Sequence, residues 1–72
     1  MRFTQIFNEI MEERELTNYR LSKETGIAEG MVGFWRRGER IPSAESLIKL
    51  ADHFDLSIDF LLGRTDNPKI NK

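Results

Sequence analysis

TNYRLSKETGIAEGMVGFWRRG, residues 17–38, spaces its small, apolar and glycine positions as two short helices joined by a tight turn require. Counted from Asn18, Leu21 is fourth, Ser22 fifth, Gly26 ninth, Ile27 tenth, Val32 fifteenth and Trp35 eighteenth. Each place has a steric reason. Two helices meeting at about 90–120° through a three- or four-residue turn leave room only for a small side chain where they cross, and Ser22 supplies it. Gly26 suits the positive φ of such a turn. Leu21, Ile27, Val32 and Trp35 then point inward and fix the interhelical angle by burial.

Helical periodicity continues on both sides. Upstream, Phe3, Ile6, Phe7, Ile10 and Met11 recur at three- and four-residue intervals, which predicts a first helix with one apolar stripe and Glu9, Glu12 and Glu13 outward. Thr17 is a good N-cap for the second helix, Leu16 and Tyr19 are expected to pack beside it, and Gly26 ends it. The third helix is expected from near Ala28 to Gly38. Pro42 and Ser43 mark a fresh start, with Ser43 as N-cap, Glu45 in the first turn where the helix dipole favours a carboxylate, and a buried stripe of Leu47, Leu50, Ala51 and Phe54. Ser57 caps a short fifth helix holding Ile58, Asp59, Phe60, Leu61 and Leu62, which Gly63 closes. The pattern is all-α, five helices and no strand. The polar tail TDNPKINK, residues 65–72, has no apolar period and is expected to fray or to serve as a linker.

The arrangement over residues 17–38 is a helix-turn-helix, and with these residues the chain resembles the lambda-repressor-like, Cro-type (XRE) family of bacterial and phage transcriptional regulators. Downstream, GERIPSAESLIKLADHFDLSIDFLLGRTD looks like that family's fourth and fifth helices, so the resemblance covers roughly residues 3 to 64. It implies a compact five-helix DNA-binding domain over residues 1–64, with the helix-turn-helix at the second and third helices and residues 65–72 as a tail.

Length and composition agree with one small domain. A chain of 72 residues has room for a single core of marginal stability, and with no cysteine neither a disulfide nor a thiolate metal site supplements it. No apolar run of about 18 residues is present, and the N-terminus lacks a basic-then-apolar secretory pattern, so a cytoplasmic protein is expected, and the resemblance implies a bacterial or phage origin. The 11 basic and 12 acidic residues give a net charge of −1, short of the basic excess common in DNA binders. The distribution is uneven. Between Arg14 and Arg40 six basic residues stand against four acidic ones, whereas from Ser43 to Asp66 five acids outnumber Lys49 and Arg64. A basic face with an acidic back is one reading, and a mixed solvated surface is the other.

In a helix-turn-helix of this kind the third helix enters the major groove and its N-terminal residues reach base edges, while the second helix and flanking loops hold phosphates. By resemblance the base-reading candidates are Ala28, Glu29, Gly30, Met31, Gly33 and Phe34. Glu29 can accept from a cytosine amino group, and Met31 or Phe34 can meet a thymine methyl, but no Arg, Asn or Gln is present for a bidentate contact. Gly30 and Gly33 each weaken a helix by roughly 1 kcal/mol relative to alanine, and Ala28 stands where the family usually has a capping serine. Either the glycines bring the backbone close to the groove, or the helix no longer reads DNA. The phosphate candidates are Asn18, where the family commonly has glutamine, together with Lys23, Arg36, Arg37 and Arg40; Arg36 replaces a common glutamate.

The remaining residues suggest no other chemistry. His53 has no second histidine or cysteine at ligand spacing, Trp35 is read as core, and Asp52, Asp55 and Asp59 lack calcium-loop spacing, so neither metal nor cofactor is expected. No nucleophile with a base, paired carboxylates or phosphate loop points to an enzyme, and no small-molecule ligand is inferable. Ile58, Phe60, Leu61 and Leu62 crowd four large apolar residues into the fifth helix, which in the family often forms a two-fold dimer contact. The expected function is a sequence-specific, dimeric repressor that binds a double-stranded operator with inverted half-sites. The alternative is a protein-interaction module, an antitoxin or regulatory adaptor, on the same scaffold.

Overall fold

Five α-helices follow one another with no strand among the described residues: α1 (Phe3–Glu13), α2 (Asn18–Thr25), α3 (Glu29–Arg37), α4 (Ala44–Phe54) and α5 (Ile58–Leu61). The structure is a computed structural model and describes residues 2–70. The chain thus has the all-helical architecture that its apolar periodicity predicts.

Local chemistry accounts for most of the helix boundaries. Thr17 Oγ1 accepts from Arg20 N at 3.0 Å, Ser43 Oγ from Ser46 N at 3.2 Å, and Ser57 Oγ from Phe60 N at 3.0 Å, so three helices begin on a hydroxyl cap. Gly26 and Gly38 end α2 and α3 in the left-handed region, with φ of 77° and 74°. Between them the turn is stitched from within α2: Ser22 Oγ donates to Ile27 O at 2.6 Å, and Thr25 Oγ1 donates to Leu21 O at 2.7 Å. Ser22 is therefore both small enough for the crossing and able to satisfy a turn carbonyl. α1 ends differently, on Glu15 at φ 55°, a conformation its sequence does not announce.

The core is centred on Trp35, 1% exposed. Its ring meets Phe3 and Phe7 edge-on, at centroid distances of 6.4 and 5.9 Å, while Phe3 and Phe7 stack at 5.2 Å and Phe7 reaches Phe54 of α4 at 6.4 Å. α1 thereby packs against α3 and α5, α2 against α3 and α4, and α4 against α5. Two polar ties reinforce the frame. Arg14 Nη2 donates to Phe54 O at 2.9 Å with its guanidinium 5.1 Å over the Phe54 ring, and His53 Nε2 meets Glu24 Oε1 at 2.9 Å between α4 and α2. The hydrogen bond from Arg20, with the charges of Arg20 and His53 behind it and desolvation opposing, holds the Glu24 carboxyl below the ordinary glutamate range. A lowered carboxylate value contributes stability above that range and loses it as the pH falls through the lowered value.

Four sequence expectations change. Tyr19, expected to pack at the start of the second helix, stands 58% exposed on α2. Leu47 is only partly buried. The tail does not fray over its described part: Ser57 N donates to Pro68 O at 2.9 Å, so residues 65–70 turn back to the start of α5; Asn71 and Lys72 lie outside the described residues. Leu61, placed among the dimer candidates, is 0% exposed and belongs to the core, since one turn of helix wedged between α1 and α4 turns it inward. Leu61→Ala is expected to lower the unfolding free energy by about 2–5 kcal/mol in a urea titration followed by helical circular dichroism. A loss well under 1 kcal/mol would remove Leu61 from the core.

Candidate nucleic-acid interface

α3 has two faces. Val32 and Trp35 are buried and Met31 packs partly against the core, which leaves Ala28, Glu29 and Gly30 exposed at the N-terminal end and Phe34 and Arg37 along the outer stripe. Ala28 makes no side-chain cap bond, so the free N–H groups of the first turn keep their positive dipole end open, with Glu29 beside it. A Cβ added at Gly30 would meet nothing within 4 Å, and the backbone there can be approached closely from outside.

Gly33, also among the base-reading candidates, is buried and sits elsewhere in the site. A Cβ at Gly33 would stand 3.1 Å from Arg37 Nη1 and 3.9 Å from Asn18 Nδ2, so this glycine lies under the meeting of α3 with the first turn of α2. Phe34 is half-buried and carries two guanidiniums: Arg37 Cζ lies 5.2 Å and Arg40 Cζ 4.7 Å from its ring centroid. The cation–π attraction holds both charges on the outer side of α3 without neutralising them. Arg37 Nε is further bonded to Glu39 Oε2 at 2.5 Å.

Among the phosphate candidates the structure brings Asn18, Arg37 and Arg40 together at the α2–α3 crossing and the turn after α3. Lys23 is separate, with Nζ 5.6 Å over the exposed Tyr19 ring on α2. Arg36 is not a free surface cation. It is half-buried, and its side chain is tied to Asn8 and Asn18. Asn8, Tyr19 and Glu39 were missed from sequence: Asn8 lies on α1, outside the helix-turn-helix, and nothing in its local pattern marks it.

A family model described as helix-turn-helix matches residues 8–61. The chain is also 30% identical, over 66 residues and 92% of its length, to a Bacillus subtilis protein named as the uncharacterized HTH-type transcriptional regulator YobD. It spans 59% of that protein's length. No solved structure matches the chain.

Because the space beside Gly30 is empty, Gly30→Ala is expected to raise the unfolding free energy by roughly 0.5–1 kcal/mol through helix propensity, read as a higher denaturant midpoint at unchanged slope. A lower midpoint would mean that a neighbour occupies that space.

Proposed function

This chain belongs to the XRE-type helix-turn-helix family of DNA-binding transcriptional regulators, and we propose that it acts as a dimeric repressor that inserts α3 into the major groove of an operator with inverted half-sites. The observation that carries this reading is the outer face of α3. An exposed first turn, open at Gly30, adjoins two guanidiniums held over Phe34 and the carboxamide of Asn18. Ala28, Glu29, Gly30 and Met31 then face base edges, with Glu29 accepting from a cytosine amino group. Phe34 serves chiefly as the platform for Arg37 and Arg40, and these two with Asn18 and Lys23 meet the phosphates on either side.

Size supports the dimeric reading. The Cα atoms of one protomer extend 29 × 23 × 22 Å, less than the roughly 34 Å between successive major-groove turns, so reading two half-sites on one face of the duplex takes two copies. Ile58, Phe60 and Leu62 are only partly buried on α5, and the apolar surface continues from Ile58 through Leu56 to Ile48, 52% exposed on α4. A two-fold contact there is self-complementary. No helix of the described residues is long and apolar enough to cross a membrane.

Selection of bound duplexes from a randomised pool, sequenced after rounds at two salt concentrations, is expected to recover an inverted repeat, with binding that weakens steeply as salt rises. No enrichment at either salt, with binding instead to a protein partner that salt barely affects, would favour the adaptor reading. On any duplex Arg37→Ala is expected to weaken binding uniformly and to reduce the salt slope by about one unit per protomer. An unchanged slope would remove Arg37 from the phosphate contacts.

A further inference from the structure

Three hydrogen bonds converge on Arg36. Its Nε donates to Asn8 Oδ1 at 2.6 Å, Asn8 Nδ2 donates back to the main-chain oxygen of Arg36 at 3.0 Å, and Nη1 donates to Asn18 Oδ1 at 3.1 Å. A guanidinium has only donors, so the Asn18 atom that faces it must be the carboxamide oxygen. Asn18 Nδ2, with its two protons, is therefore turned away from Arg36. Gly33 fixes where it goes: the point a Cβ would occupy is 3.9 Å from Asn18 Nδ2 and 3.1 Å from Arg37 Nη1. Two donors, one from α2 and one from α3, thus stand close together over Gly33 and cover it. Arg37 is steadied there by the Phe34 ring beneath its guanidinium and by Glu39 on its Nε, contacts that leave Nη1 unused.

We propose that Arg36 is a positioning residue for phosphate binding. It does not meet the DNA backbone itself; it holds the Asn18 carboxamide by its oxygen so that Asn18 Nδ2 and Arg37 Nη1 jointly receive one phosphate of duplex DNA over Gly33. The inference rests on the DNA-binding reading and adds to it a division of labour among the three side chains. A phosphodiester group presents two unesterified oxygens and one negative charge, which suits one neutral N–H₂ beside one guanidinium. Asn8, gripping Arg36 at both its side chain and its main chain, immobilises the chain of contacts before DNA arrives, so little side-chain freedom is lost on binding. Gly33 is part of the device. A side chain at this position would press on Arg37 Nη1 at a distance tighter than ordinary contact.

The test separates a held amide from a lone charge. Arg36→Lys keeps the positive charge but lacks the planar fork that reaches Asn8 and Asn18 together. Wild type, Asn18→Ala, Arg36→Lys and the double variant are titrated with a labelled duplex of random sequence over a salt series from about 50 to 200 mM. Both single changes are expected to weaken binding by a similar factor, about tenfold for one hydrogen bond to a charged group. The double variant is expected to bind no worse than either single one, and the salt slope to stay at the wild-type value in all three. Wild-type affinity in Arg36→Lys, or losses that multiply in the double variant, would overturn the proposal. The side-chain amide resonances of Asn18 in the free protein give a readout that needs no DNA: they are expected to shift in Arg36→Lys, and an unmoved pair would count against the tether. A wild-type chain that binds no duplex at the lowest salt would sink the DNA-binding reading itself, a result distinct from a wild type that binds and an Arg36→Lys variant that binds equally well.

Discussion

The edge-on packing of Trp35 against Phe3 and Phe7 is the contact on which the display of α3 depends. Aromatic pairs prefer this geometry because the positive edge of one ring meets the negative face of another, and the large buried area adds to it. With Trp35 packed into the floor made by α1 and Val32 buried one turn earlier, any rotation of α3 about its axis would expose both side chains. The opposite stripe then faces outward. The indole N–H of Trp35 has no partner among the described residues, a cost that burial of the ring outweighs. A domain of this size has few other large contacts with which to fix a helix.

That constraint changes what the charges mean. Six basic residues between Arg14 and Arg40 suggest a basic face when counted along the chain, but their partners divide them. Arg14 binds the end of α4, Arg20 is paired with Glu24, and Arg36 is tied to Asn8 and Asn18. Arg37, Arg40 and Lys23 remain on the outer surface, each lying over an aromatic ring, and of these Arg37 is also paired with Glu39. Stacking on a ring leaves a cation its charge, whereas pairing with a carboxylate largely cancels it. The electropositive surface is therefore smaller than composition implies, and it is concentrated beside α3.

Much of the scaffold was legible because its signals are local. All five apolar residues assigned to the core face of α1 are buried, three of the helices start on the expected Thr17, Ser43 and Ser57 caps, and Gly26 and Gly38 adopt the left-handed conformation that ends α2 and α3. The misses have physical reasons. Glu15 takes a positive φ although glutamate carries no such preference, in a turn where Glu15 N donates to Glu12 O and Leu16 N to Met11 O and so closes α1. Leu61 seemed surplus to a small core, yet α5 is only four residues long and most of its inward space goes to that one side chain. A polar tail gives no apolar period to read, but its main-chain oxygen at Pro68 satisfies an N–H at the start of α5.

The sequence by itself determined the five helices, their order and most of their ends, since periodicity and capping act between residues three or four apart. It also determined which helix carries Gly30 and Gly33. Only the tertiary structure decided which arginines face outward and which way the Asn18 carboxamide points. Those choices depend on Asn8 meeting Arg36 across 28 residues of chain, on Gly33 lying under Arg37 and Asn18, and on Phe34 beneath two guanidiniums. Residue types along the chain leave such pairings undetermined, because a guanidinium can take many acceptors and packing alone brings one of them within reach.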